Sequence, residues 1–253
     1  MAETGVALFE RVIGTAMAVP GVKVDRSSFL RKELGAYCQY SQGKLALITD
    51  GNENPRVLGI ELIDEIAKSV IQSERIKVSL ISAASGLPGN PLLAAGLAIA
   101  DMGQYTAICM ETCQKLAYLY GFPDLLDERG EVSSGTVSML TPLIGIMFGV
   151  KEANAVTAKL CQQLAIQVAK RLPAIAFGHA GWYLLVKQIA KFIGIRMSKQ
   201  LFAKGVSKVI PFIGGAISGT LTYATFGPSA ERLKEQLREN SRFFDRNRDQ
   251  ENS

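Results

Sequence analysis

Between Pro55 and Ala84 the apolar residues Ile60, Ile63, Ile66, Ala67, Val70 and Ile71 recur at intervals of three and four. That spacing puts them on one face of an α-helix and cannot line one face of a strand. It predicts a long amphipathic helix that must bury its apolar face against other elements. Pro55 suits a first turn, and Gly86-Leu-Pro-Gly-Asn-Pro91 punctuates the end. A second long helix is expected over 91–120, stopped by Gly121-Phe122-Pro123, a glycine cap followed by a breaker. Further helices are expected over 133–150, 151–172, 181–193, 198–209, 214–226 and 229–240. Strand signals are scarce; residues 44–49 (KLALIT) are the one candidate and are expected to be helical as well. The expected fold class is all-α, a compact multi-helix bundle of about nine or ten helices with a glycine-rich apolar hairpin near the C-terminus. One domain is expected over 1–240, followed by a solvated tail over 241–253.

A chain of 253 residues approaches the largest size that one core organises and needs no disulfide or metal to fold. Its mean hydropathy of +0.17 is high for a soluble protein. The four cysteines, Cys38, Cys109, Cys113 and Cys161, contain no CxxC pair and suit a reducing compartment. A four-thiolate zinc site can be drawn from them, but the spacing follows no usual ligand pattern and only one histidine could assist. No metal or cofactor is expected. The opening MAETGVALFERVIG has no basic stretch ahead of an apolar one, so it does not read as a secretory signal. A cytoplasmic protein, peripheral on the inner face of a membrane, is the expectation.

Charge is distributed unevenly. Residues 1–150 hold 12 basic against 16 acidic side chains, whereas residues 151–208 hold 10 basic against the single acid Glu152. Residues 209–253 balance at 6 and 6. One segment therefore makes the chain basic, and it calls for an anionic partner. Three stretches, 78–100, 132–150 and 209–230, carry no charge at all. Ser, Thr, Gly and Pro dilute each of them too much for a spanning helix. They suit core helices packed through small residues, or a helical hairpin lying in a bilayer surface.

The basic and uncharged features meet between 181 and 230. Trp182, Leu185, Val186, Ile189, Ala190 and Ile193 form one helix face with Lys187, Gln188 and Lys191 opposite, and Lys199, Lys204 and Lys208 lead into Pro211-Phe-Ile-Gly-Gly-Ala-Ile-Ser-Gly219. Lysines beside an apolar, small-residue run are what an anionic bilayer attracts. Lys187, Lys191, Lys199, Lys204 and Lys208 would meet headgroups, and Phe212 and Ile213 would insert. Pro211, Gly214, Gly215 and Gly219 would let the hairpin pack closely.

The stretch Gly194-Ile-Arg…Phe202-Ala-Lys-Gly205…Lys208-Val-Ile-Pro211-Phe-Ile-Gly214-Gly215-Ala-Ile-Ser-Gly219…Ala230 resembles the C-terminal signature of the EcsC protein family. Gly86-Leu-Pro-Gly…Leu97-Ala-Ile-Ala-Asp101…Gln104…Ala117-Tyr118-Leu-Tyr120-Gly121 resembles that family's other signature. The similarity spans about residues 60–235, with the two matches in the family's order. It implies a bacterial, helical, membrane-associated protein, connected to ABC transporters by gene neighbourhood, for which no enzymatic activity is established. Thr222 stands where the family often has an acid.

Asp101 is the only charged residue between Lys77 and Glu111, so a carboxylate there must be paired, protonated or hydrogen-bonded if buried. Gln104 and Tyr105 are the expected donors. The group is read either as a satisfied polar pin between helices or as the polar end of a ligand site. His179, the one histidine, could join Ser85 and Asp101 in a hydrolase, but no nucleophile elbow supports such a triad. No phosphate-binding glycine motif occurs. Nucleic-acid binding is disfavoured because no aromatics interleave with the lysines. The expected function is therefore non-catalytic: peripheral association with an anionic membrane, auxiliary to a membrane transporter or complex. The alternatives are a soluble bundle binding a fatty acyl chain or lipid, and a membrane-inserting pore-forming effector.

Overall fold

The computed structural model describes residues 5–39, 42–51, 53–85, 94–127, 129–131, 133–166, 183–194 and 211–244. For 5–6, 84–85, 94–101, 134, 165–166 and 211–218 it describes the backbone alone. Among the described residues the only regular structure is helical. The elements are α1 (Gly5–Met17), α2 (Arg26–Leu34), α3 (Gln42–Thr49), a 3-10 turn (Pro55–Leu58), α4 (Ile60–Ser85), α5 (Ala94–Leu119), α6 (Ser134–Met147), α7 (Lys151–Ile166), α8 (183–194) and α9 (Pro211–Asn240). The all-α bundle is thus the observed fold.

Helices α4, α5 and α9 form its frame, and α4 and α9 make the most extensive pairing. They run antiparallel. Arg238 Nε reaches Asp64 Oδ2 at 2.8 Å near one end, and Gly219 lies against Ser79 and Ala83 near the other. Helix α5 is antiparallel to α4 as well: Tyr120 Oη donates to Asp64 Oδ1 at 2.6 Å, and Lys115 reaches Glu74 further along. Helix α1 closes on α5 where Gly103 faces Thr15; a Cβ on Gly103 would stand 2.4 Å from Thr15 Cγ2. Ile63, Ala67 and Ile71 of α4 are buried as the periodicity requires, joined by Met110, Leu116 and Leu119 of α5.

Of the three uncharged stretches, 132–150 is core. Met139, Leu140, Leu143, Ile144, Ile146 and Met147 are all buried, and a Ser133–Thr136 capping box starts α6. The other two stretches meet each other, since the last turns of α4 pack against the first turns of α9.

The structure moves several expected boundaries. The long helix starts at Ile60, not Pro55: Pro55 opens a separate 3-10 turn capped by Asn54, and Gly59 at φ +101° makes the corner. The expected break between 226 and 229 is absent, because α9 continues through Gly227 and Pro228 to Asn240. A proline inside a helix removes one hydrogen bond and crowds the previous turn. Contacts of α9 with α4 on both sides of Pro228 hold the helix in line. The other expected arm of the hairpin, 198–209, lies outside the described residues. Residues 241–244, expected to belong to a solvated tail, are part of the packed structure. Ser241 is buried, Phe243 and Phe244 pack on the core, and the Phe244 ring stands 5.6 Å from that of Phe122.

Candidate functional site

The basic segment meets solvent in two described helices, α7 through Lys151 and Lys159 and α8 through Lys187 and Lys191, and only α8 carries no acid. Leu185, Val186, Ile189, Ala190 and Ile193 are buried. At about 100° per residue they occupy one side of the helix. Gly145 of α6 supplies the seat: a Cβ there would lie 3.3 Å from Leu185 Cδ1 and 3.5 Å from Ile189 Cδ1. Phe192 stacks on Phe148 at 4.3 Å between ring centroids, Phe148 on Tyr105 at 6.3 Å, and Phe226 meets Tyr105 edge-on at 6.1 Å. Four rings thus tie α8 to the α6–α7 turn, α5 and α9.

The opposite side of α8 faces out and carries Tyr183, Leu184, Lys187 and Lys191, with Gln188 half-buried beside them. Tyr183 is 57% and Leu184 44% exposed, large values for side chains of this size. No acid occurs in 183–194. The outward face is therefore cationic along its length and apolar at its start, a combination suited to an interface between water and hydrocarbon. The helical wheel already placed the two lysines there. It also puts Tyr183 and Leu184 on the lysine side, a signal present in the sequence.

Lys199, Lys204, Lys208 and His179 lie outside the described residues. Pro211 begins α9, and the backbone of Phe212, Ile213, Gly214 and Gly215 forms its first turns. Gly219 is buried, and its position permits close helix approach: a Cβ would stand 3.0 Å from Ala83 Cβ and 3.1 Å from the Ser79 carbonyl oxygen. Asp101 falls in the first half of α5, and its side chain is not among those described. The anchor grouped around it needs correction at Gln104, which is exposed and cannot be a buried donor. One residue on, Tyr105 lies about 100° round the helix and is buried between Phe148 and Phe226.

Buried charge collects elsewhere, in a quartet that pattern reading missed. Lys115 Nζ donates to Glu74 Oε1 at 2.5 Å and to Glu111 Oε1 at 2.7 Å; Lys77 Nζ lies 2.5 Å from Glu111 Oε2 and 3.7 Å from Glu74 Oε2. Both glutamates are buried. Burial works to lower the Lys115 pKa, but its hydrogen bonds to Glu111 and Glu74 outweigh this and hold it above the ordinary value. The i, i+4 spacing of Glu111 and Lys115 was readable; the α4 partners 41 and 34 positions away were not.

The Ala117-Tyr-Leu-Tyr-Gly121 end of α5 is an anchor. Tyr118 Oη lies 3.3 Å from both the Val24 carbonyl and Asp124 Oδ1 and accepts from Leu125 N–H at 3.2 Å. Tyr120 holds Asp64, which also takes Arg238. Burial, with the neighbouring carboxylate second, pushes both phenols well above their usual pKa, so they remain donors at any physiological pH.

Among the described residues no cluster of His, Cys, Asp or Glu is placed to hold a metal ion, and all four cysteines are buried and outside any disulfide. Among those residues, no helix is long and apolar enough to cross a membrane. No family model matches this chain, and neither the curated proteins nor the solved structures contain a match to it.

Proposed function

We propose that this chain is a non-catalytic helical protein that binds the surface of an anionic membrane peripherally, with the outward face of α8 as its docking element. The observation that carries this reading is the acid-free face on which exposed Tyr183 and Leu184 accompany Lys187 and Lys191. Each interfacial lysine contributes about 1 kcal/mol toward an anionic surface, so these two alone bind weakly. Adding Lys199, Lys204 and Lys208 brings the electrostatic part to about 5 kcal/mol, between three and four decades of affinity. The likeness of two stretches to the EcsC family agrees with a bacterial membrane setting and with an auxiliary role beside a transporter or other membrane complex.

Co-sedimentation with phosphatidylglycerol-containing and pure phosphatidylcholine vesicles tests the reading. Binding should require the anionic lipid and fade in high salt, because exposed charges are screened. Lys187→Glu with Lys191→Glu should weaken it by roughly 30-fold or more. Equal recovery with both vesicle types counts against the proposal. Release of an entrapped dye on binding would favour the pore-forming alternative.

A further inference from the structure

The shared end of α4 and α9 has a polarity gradient along the helix axes. Leu80 is 66%, Leu221 47% and Ile76 46% exposed. The contact of Gly219 with Ser79 and Ala83 puts Leu221 at nearly the same height as Leu80. No charged residue occurs in α4 beyond Lys77 or in α9 before Glu231. Just behind the leucines the polarity changes. The Arg75 guanidinium lies over the Tyr223 ring, 3.6 Å from its centroid, and its Nε donates to the Tyr223 carbonyl at 2.7 Å. Gln72 Nε2 donates to Tyr223 Oη at 3.2 Å, and half-exposed Lys77 sits one turn from Leu80.

We infer that this end is a second membrane contact, in which Leu80 and Leu221 sink into the boundary between headgroups and acyl chains while Arg75, Tyr223 and Lys77 stay at headgroup level. The inference deepens the membrane reading and rests on it. A bilayer is the occupant because it is a partner whose polarity varies along a single axis, and here Leu80 and Leu221 stand beyond Lys77 and Arg75 on the helix axes, with Ile76 the one exposed apolar side chain at the level of the polar groups. Tyr with Arg or Lys behind an apolar end is the arrangement found at membrane–water boundaries. From Arg75 to Leu80 the helix rises about 7.5 Å, within the roughly 5–10 Å depth that interfacial helices reach. Both segments are helical, so their backbone groups are already paired and tolerate lipid. Gly219, four residues after Gly215, lets the two helices enter as one close pair.

A depth measurement tests this. Leu80→Trp in a Trp182→Phe background makes residue 80 the sole tryptophan, because the chain has one. Vesicles of phosphatidylcholine and phosphatidylglycerol carrying lipids brominated near the top of the acyl chain should quench it on binding by about half. Leu80→Asp with Leu221→Asp should lower vesicle affinity at least about ten-fold. Leu47→Asp, at an exposed leucine on α3, should not change it. Circular dichroism checks that the exposed substitutions leave the helices intact. Salt-sensitive binding without quenching, and without loss in the double Asp variant, overturns this contact and leaves the α8 reading standing. Quenching that survives Lys187→Glu with Lys191→Glu supports the contact and removes α8 from the reading. No binding to any vesicle overturns both.

Discussion

Gly121 and Asn54 meet where α5 ends, and neither tolerates change. Gly121 has φ +96°, and an added Cβ would stand 2.0 Å from Asn54 Nδ2, whose side chain caps the 3-10 turn through Arg56 N–H. Gly121→Ala should therefore cost about 2–3 kcal/mol in urea unfolding, about 1–2 from the left-handed backbone and about 1 from the lost cap. Gly130→Ala, also at positive φ but in open space, should show the backbone part alone. At Lys115 the expectation rests on buried charge. Lys115→Met leaves two buried glutamates with half-exposed Lys77 as their one remaining cation in the quartet and should cost about 3 kcal/mol, the low end for breaking a buried pair. Because the Lys115 pKa is raised on folding, its contribution is complete below the unfolded value of about 10.4 and is lost as pH rises through the folded one. Wild type should therefore lose stability in alkaline titration over that window, and Lys115→Met should lose less. Gln104 shows what a single residue fails to reveal in sequence. A lone polar side chain in an apolar helix looks buried, yet a step of one residue turns it by about 100°, which separates exposed Gln104 from buried Tyr105.

Among the elements, legibility followed periodicity. Helices α4 and α8 have apolar residues spaced every three or four, and their buried faces match the sequence reading; α5, buried on nearly every side, was legible only as a helix. In α3 the apolar residues Leu45, Leu47 and Ile48 do not share one side, and Leu47 is exposed, so its orientation was not readable. Gly227-Pro228 reads locally as a break, but the tertiary pairing with α4 overrides it. Gly227 itself lies where Arg75 passes, within 3.1 Å of a would-be Cβ, which gives a small residue there a packing reason. The end of α6 is held by a residue that no local pattern reveals. Arg232 Nη1 donates to the Met147 carbonyl at 2.9 Å, placing a cation against the helix C-terminus. Arg232→Ala should cost about 1.5–3 kcal/mol, and amide exchange should quicken in the last turn of α6 before elsewhere. Gly103→Val should separate α1 from α5, because its β-carbon alone meets Thr15. A lower unfolding midpoint with early proteolysis of α1 would register it.

At the scale of the whole molecule the thiols report on the integrity of the core. Burial raises the Cys113 pKa well above normal and pushes that of Cys161 up to about 12, so neither is a nucleophile at pH 8. A disulfide reagent should find all four cysteines slow in the native protein and fast in urea, with native rates tracking global unfolding; a fast native thiol would contradict the packing described here. The charge division between segments was plain in sequence. The quartet between α4 and α5 was not, because it depends on which helices become neighbours. That charge division also acts before any contact is made. Lys187 and Lys191 stand exposed on α8 with no acid in 183–194, so the outward face of that helix is a local positive pole. Near the anionic surface proposed as its partner, a molecule with such a pole experiences torque as well as attraction, so it turns while still diffusing and arrives with α8 leading. Orientation is then settled in solution, and the encounter rate should fall with ionic strength more steeply than the net charge alone requires.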